Sequence, residues 1–586
     1  MNNASILCFE VNFQSVMFGI WLGPTGIFIN MQHADIIITN ASILTMSDHQ
    51  PQAEAIAIAE NKILALGSVN DIADLKGPGT RTIDAGMSTV MPGFVESHLH
   101  LFMGAAGRRL LQLFGISGLD ELRKAVLSYA AANPNEGLLI AKGADYTIVG
   151  NNVSLTRHHL DEILPDRPLI LYAPDHHTCW ANTIALKKAG ILAGRDVGPG
   201  NEIVMGDDGQ ATGELRERHA ISPVMKLRTS GGRDSFGMTG TEPGKELTAN
   251  ERIDDIDVLK SGLEYCAAAG ITSLYNMDGN FYQLELLREI EQQGELLCRT
   301  QVPFHLTGQK SLADLKDAVE MHREYASDML RSGRVKMFAD GVIDSGTAVM
   351  VDDYSDQPGW RGEPLLSPED FCKAAVEIDR LGLQISVHAI GDGAVRMVLD
   401  GYEAARDANG ARDSRHRIEH AEVIHPDDMH RFAELGVVAS MQPPHPPGSM
   451  GLPLEPTVSK IGRARWPYSY AWRTLWDSGV HIAFASDWPV SPVEPILGIH
   501  AAVTRERWAP ELPDPKASLG EALAGYTREG AYAGFMENKT GTLIPGMLAD
   551  IVILSEDVTK TDPKELENVQ PLLTICNGQV THDVMG

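Results

Sequence analysis

Apolar and polar positions follow two rhythms along this chain. Near both ends they alternate over short stretches broken by Asn, Gly and Asp, the pattern of half-buried strands. ADIIITNASILTM (34–46), EAIAIAENKILALGS (54–68) and RTIDAGMSTVMPGF (81–94) read this way, as do TGTLIPGMLADIVILS (540–555) and PLLTICNGQVTH (571–582). The shared texture predicts one small β-sandwich domain formed from both termini, residues 34–90 and 536–586. In between, short apolar runs take turns with helical patterns such as PEDFCKAAVEIDRLG (368–382) and VRMVLDGYEAARD (395–407), which argues for a parallel sheet. The candidate strands are GFVESHLH (93–100), ITSLYNM (271–277), LCRTQVPF (297–304), RVKMFAD (334–340), QISVHAIGD (384–392), HRIEHAEV (416–423), GVVASMQP (436–443) and VHIAFASDWP (480–489). They predict an α/β fold, a (β/α)8 TIM-like barrel over residues 91–535. The gap between the first two strands is far too long for one crossover. It holds elements of its own, including GLLIAKGAD (137–145) and PLILYAPDHH (168–177), and predicts an insertion after the first barrel strand at about 105–255.

The first residues depart from both rhythms. From Val11 to Ala34 there is no Asp, Glu, Lys or Arg, and SVMFGIWLGPTGIFI (15–29) is strongly apolar. The run lacks the leading positive charge of a signal peptide. Broken by Pro24 and several glycines, it falls short of the ~20 apolar residues of a spanning helix. Residues 1–33 are expected to be an extension ahead of the first domain, with a membrane anchor as the competing reading.

Composition narrows the function. A net charge of −29 argues against sequence-independent binding to nucleic acid or anionic membrane, which needs clustered Lys and Arg. A small-molecule substrate is the better expectation. The cysteines (Cys8, Cys179, Cys266, Cys298, Cys372, Cys576) form no CxxC pair, so neither a disulfide framework nor a zinc ribbon is indicated. A reducing, cytoplasmic setting fits.

The chemistry gathers at strand ends. His98 and His100 stand at i and i+2 and share one face of a strand. His388 closes ISVH, His420 closes RIEH, Asp487 closes IAFASD, and Lys336 enters the apolar run VKMFAD. A lone strand-end histidine is usually a satisfied hydrogen-bonding residue, and HxH alone is a weak signal. Four such histidines with an aspartate on one barrel rim match a zinc-type N/O site. Asp392 in HAIGDG reads equally as a ligand-orienting residue and as a helix N-cap. No GxSxG, Walker A or GxGxxG motif competes.

These blocks resemble the amidohydrolase superfamily. STVMPGFVESHLH (88–100) looks like its first-strand signature, and GMLADIVIL (546–554) with NGQV looks like its C-terminal strands. Within it, VKMFADGVIDSGTA (335–348), VHAIGDGAV (387–395), RIEHAEVI (417–424), VVASMQPPH (437–445), SDWPV (486–490) and DHHTCWANTIAL (175–186) are similar to the YtcJ-like group, which includes N-substituted formamide deformylases. The likeness runs from about residue 34 to the end. It implies two Zn2+ ions, or other divalent metals. His98 and His100 would bind one and His388 and His420 the other. Lys336 would be carboxylated and bridge both, and Asp487 would complete the first metal's shell and shuttle the proton. Glu96 stands where the superfamily usually has Asp before HxH. The implied reaction is hydrolysis of a non-peptide C–N bond in a linear N-acyl or N-formyl amide by metal-activated hydroxide. Rivals are a cyclic amidase, a heterocycle deaminase, and an inactive ligand-binding or regulatory protein on the same scaffold. His177, Asn182, Gln442, His445 and Trp488 are the candidate substrate contacts, and a homodimer is a family-level expectation.

Overall fold

The computed structural model describes residues 19–23, 26–30, 32–113, 115–150, 153–173, 178–198, 201–216, 218–307 and 310–585. Two compact units emerge: one comprises Met1–Leu101, Met238–Gly240 and Lys260–Gly586, the other Phe102–Gly237 and Thr241–Leu259.

In the first unit the chain ends share a sheet. Its strands run in the order Gln579–Asp583, Pro571–Cys576, Ile551–Leu554, Thr89–Pro92, Ser42–Leu44, Gln52–Ala53. Ile551–Leu554 pairs antiparallel with Thr89–Pro92, Val552 opposite Met91. A second sheet orders Lys62–Gly67, Ala55–Ala59, Ala34–Thr39, Lys76–Asp84. The period-two pattern explains how these sheets bury apolar surface. Ile36, Ile38, Ile56 and Ile58 meet Ile43, Val90, Ile551, Ile553, Leu573 and Ile575 in one core. The intervening Ile37, Ala55 and Ala57 face the other way, onto Ile72 and Leu75.

Two parallel sheets carry the site. One orders Phe94–Leu99, Ile271–Asn276, Arg299–Gln301, Leu330–Arg331; the other orders Phe304–His305, Arg334–Phe338, Gln384–Ala389, Arg417–His420, Val438–Met441, Ile482–Phe484. Every pairing within them is parallel. The chain steps directly from one sheet to the other at Val302-Pro303, where proline has no N–H to pair, and again at Ser332-Gly333. At the opposite edges, Leu99 bridges Trp488 in parallel. There the His100 N–H donates to the Trp488 carbonyl at 2.8 Å, and the Asp487 N–H to the His98 carbonyl at 2.8 Å. With all strands running one way, the residues that close them lie at one end.

A buried ion pair fastens the parallel strands to the C-terminal ones. Arg299 Nε and Nη2 donate to the Asp550 carboxylate at 2.7 and 3.0 Å. Arg299 also donates to Asn577 Oδ1 at 3.0 Å, and Asp550 accepts from the Asn577 N–H at 2.7 Å.

The second unit has its own sheet, ordered Leu111–Gln112, Leu139–Lys142, Leu169–Tyr172, Thr178–Ala181, Ala211–Arg216, Glu202–Met205. One face packs Leu139, Ala141, Leu169, Leu171 and Trp180 under helices Leu119–Ala132 and Arg157–Ile163. The other packs Leu138, Ile140, Ile170 and Cys179 against helices Thr183–Lys188 and Arg218–Met225.

Of the N-terminal extension, Gly19–Gly23 pairs antiparallel with Gly26–Asn30, and most of the remainder lies outside the described residues. Among the described residues, no helix is long and apolar enough to cross a membrane.

Removing one partner of a buried ion pair strands the other charge, so Arg299→Met is expected to destabilise the protein by about 3–5 kcal/mol. Urea unfolding followed by tryptophan fluorescence measures this, and an unchanged midpoint would show the pair to be dispensable.

Candidate metal centre

The HxH pair lies where the first parallel strand ends. His98 is in Phe94–Leu99 and His100 follows it, both buried. Each commits its Nδ1 to a buried carboxylate: His98 to Glu419 Oε2 at 2.7 Å and His100 to Asp278 Oδ1 at 2.7 Å. Each turns Nε2 towards Asp487 Oδ1, at 3.2 Å in both cases. Carboxylates on the remote nitrogen fix the ring and make the facing nitrogen more basic, as metal-ligating histidines require. The His98, His100 and Asp487 ligand atoms all lie within 4.8 Å of one another.

The other histidines are held the same way. His420 Nδ1 meets Gln442 Oε1 at 2.9 Å, and His388 Nε2 meets the Gly341 carbonyl at 3.0 Å, leaving Nδ1 as its available nitrogen. The His388 and His420 ring centroids are 4.5 Å apart, and those of His98 and His420 are 4.9 Å apart. The second close ligand group is His420, His445 and Asp487. His445 thus joins His388 beside His420, its ring centroid 6.1 Å from that of His420.

Backbone geometry brings consecutive residues onto the same site. Neighbours in a strand normally point to opposite faces. His420 and Ala421 adopt left-handed φ values of 75° and 46°, and this breaks the alternation, so Glu419 and His420 both reach His98. Asp487 is also left-handed, at 58°. Such non-glycine conformations concentrate where function over-determines the backbone.

Burial and the facing carboxylates shift the ionisable groups of the centre in different directions. Burial opposes a charged His100, but the Asp278 and Asp487 carboxylates override it and raise the imidazole to about 10. Burial likewise opposes ionisation of Asp487, but His98 and His100 hold its carboxyl well below the usual range. Burial, reinforced by Lys336, lowers His388 to about 4, and burial with His388 nearby drives His420 well down. Neutral imidazoles are the metal-binding form. Lys336 is buried, and its Nζ has no hydrogen-bond partner among the described residues. Burial lowers its amine to about 8, although Glu419 and Asp487 pull the other way.

Several residues have other duties. Glu96, pushed up to about 8 by burial, accepts from the Ser486 N–H at 2.9 Å and so ties the first strand to the residue before Asp487. Asp392 opens a helix and accepts from the Val351 N–H at 2.8 Å. Gln442, expected at the substrate, directs its oxygen to His420. Asn182 is a buried N-cap in the second unit: its oxygen accepts from the Ala185 and Leu169 N–H groups at 3.1 Å each, and its nitrogen donates to the Leu164 and Arg167 carbonyls at 2.8 Å each. No hydrogen-bonding capacity is left for a substrate. His445 faces the site with a buried Nε2 that has no hydrogen-bond partner among the described residues. Trp488 packs with its ring 5.7 Å from that of Tyr265. His177 lies outside the described residues. The sequence reading missed Glu419, Asp278 and His305. Glu419 stands next to the recognised His420, and Asp278 lies two residues past the end of the strand Ile271–Asn276.

A family model described as the amidohydrolase family matches residues 81–582. The chain belongs to that family. Among curated relatives, Protein LONG AFTER FAR-RED 3 of Arabidopsis thaliana is 32% identical over 537 residues, 89% of this chain and 87% of the relative. Putative amidohydrolase YtcJ of Bacillus subtilis (strain 168) is 27% identical over 92% of this chain and 98% of its own length. The N-substituted formamide deformylase of Arthrobacter pascens is 26% identical over 95% and 99%. Among solved structures, an uncharacterized metal-dependent hydrolase from Pyrococcus furiosus superposes with a TM-score of 0.70 at 26% identity, covering 90% of this chain and 99% of that one. The braced histidines, an ionised aspartate and an unpartnered buried amine make this amidohydrolase's donor set fit divalent metal.

Asp278→Ala is expected to weaken metal binding about 10- to 100-fold by freeing the His100 ring. Chelator competition on the purified protein measures it; unaltered affinity would remove Asp278 from the centre.

Proposed function

We propose that this amidohydrolase cleaves a linear N-acyl or N-formyl amide, using zinc-type cations held by His98, His100, His388, His420, Asp487 and a carboxylated Lys336. The observation that carries this reading is the Lys336 amine, buried among the histidines with no hydrogen-bond partner among the described residues. Burial favours its neutral form, the one that reacts with CO2. The fold reading goes with it: the two parallel sheets are arcs of one closed (β/α)8 barrel, and the two terminal sheets form a β-sandwich. Chain continuity at 302–303 and 332–333 and the Leu99–Trp488 bridge support closure.

Bound divalent cations supply Lewis acidity, bringing water towards ionisation near pH 7 and polarising a carbonyl. Asp487, ionised at neutral pH, accepts a proton from the attacking water. It returns that proton to the amide nitrogen, which leaves poorly unless protonated. His445 Nε2 is free to hydrogen-bond substrate, and Trp488 offers an apolar wall. The similarity to the formamide deformylase supports a linear amide over a cyclic one. Competent side chains at every metal position speak against a decayed, purely regulatory scaffold.

A panel of N-formyl and N-acyl amides, ureas and cyclic imides, assayed for released amine, tests the reading. Turnover of linear amides alone is expected, and a zinc-loaded protein inert on the whole panel would sink it. Asp487→Asn should lower kcat about 10²- to 10⁴-fold. Lys336→Ala should lose bound metal and regain part of its rate with added propionate; full metal content and rate without it would exclude the bridging role.

A further inference from the structure

We propose that His305 is a positioning residue that holds Lys336 in its carboxylated form by accepting the single N–H that the carbamate retains. The proposal rests on the carboxylated Lys336 of the preceding reading. His305 closes the short strand Phe304–His305, and its register partner on the adjacent parallel strand is Lys336. Register partners in a parallel pair send their side chains to the same side of the sheet. His305 is fully buried.

Its tautomer follows from one contact. His305 Nε2 lies 2.6 Å from the Met277 carbonyl oxygen. A carbonyl oxygen only accepts, so Nε2 carries the proton and Nδ1 presents a lone pair. That Nδ1 is buried and has no hydrogen-bond partner among the described residues, and the same is true of Lys336 Nζ. Two neighbouring side chains thus each hold a polar atom that bonds neither the other nor any further described residue, where burial makes unmade hydrogen bonds costly; the bond proposed here forms only on the carbamate. Phe338 shares the Lys336 face of the strand. Its ring centroid lies 6.1 Å from that of His305 and 5.5 Å from that of His388, so His305 continues the wall that carries the metal ligands.

The chemistry matches one acceptor to one donor. The lone pair of the neutral Lys336 amine forms a bond to the carbon of CO2, and one C=O π pair moves onto oxygen. One amine proton departs to solvent. The product, –NH–CO2−, directs two oxygens towards cations and keeps a single N–H. An ammonium would present three N–H donors to a place with one lone pair; the carbamate presents one. Accepting it orients the carbamate plane, as carboxylates orient the rings of His98 and His100.

The test uses the full-length, zinc-loaded protein in ¹³C-bicarbonate, with the carbamate resonance read by NMR and zinc affinity by chelator competition. His305→Asn places an amide oxygen near the Nδ1 position and gives up the Met277 bond. His305→Gln can keep a donor to Met277 but offers no acceptor at the Nδ1 position. The expected result is a carbamate resonance in wild type and in His305→Asn, its loss in His305→Gln, and zinc binding about 10- to 100-fold weaker in His305→Gln alone. A wild-type resonance in His305→Gln, or loss in both variants, overturns the assignment to His305. A wild type with no carbamate overturns the carboxylation reading itself, before either variant is compared.

Discussion

An imidazole has two nitrogens, and at this centre one of them is committed to the protein in each histidine the scaffold aims. Glu419 holds His98, Asp278 holds His100, Gln442 holds His420 and the Gly341 carbonyl holds His388. This constraint makes the rest intelligible. It fixes which nitrogen remains for a cation, prevents ring rotation, and makes the facing nitrogens better donors. The strands need only deliver side chains to one end of the sheets. Aim is set by groups from different strands, so no single segment could build the centre.

Much of this was readable in the chain. Polar residues entering apolar strands marked His98, His100, Lys336, His388, His420 and Asp487, and the structure gathers them at one end of the parallel strands. The bracing residues were harder to see because strand alternation assigns residues 419 and 420 to opposite faces. The left-handed backbone at His420 cancels that rule, and no pattern in RIEHAEV announces it. His305 was lost for a related reason. Pro303 interrupts its strand, and the apolar run was taken to end at Phe304. Asn182 shows the reverse error: an amide in a family-like block invites a substrate role, yet its hydrogen bonds go to the scaffold.

The fold was readable where periodicity was clean. Both chain ends carry the same period-two texture, and their strands share one sheet. The long gap after the first parallel strand carries a sheet that buries apolar residues on both faces under its own helices. Sequence periodicity cannot show which strands become neighbours when hundreds of residues separate them. Long-range ion pairs such as Arg299–Asp550 are equally invisible in it.

That shared sheet has a consequence for how the protein comes into being. Thr89–Pro92 is made long before its partner Ile551–Leu554. Until then an edge strand and the apolar faces of Ile36, Ile43 and Val90 await their cover. Pairings of such sequence separation form slowly and leave exposed edges in the meantime. The ribosome must reach Ile551–Leu554 before this sheet can close, so a product interrupted earlier carries the candidate metal ligands on an unfinished foundation.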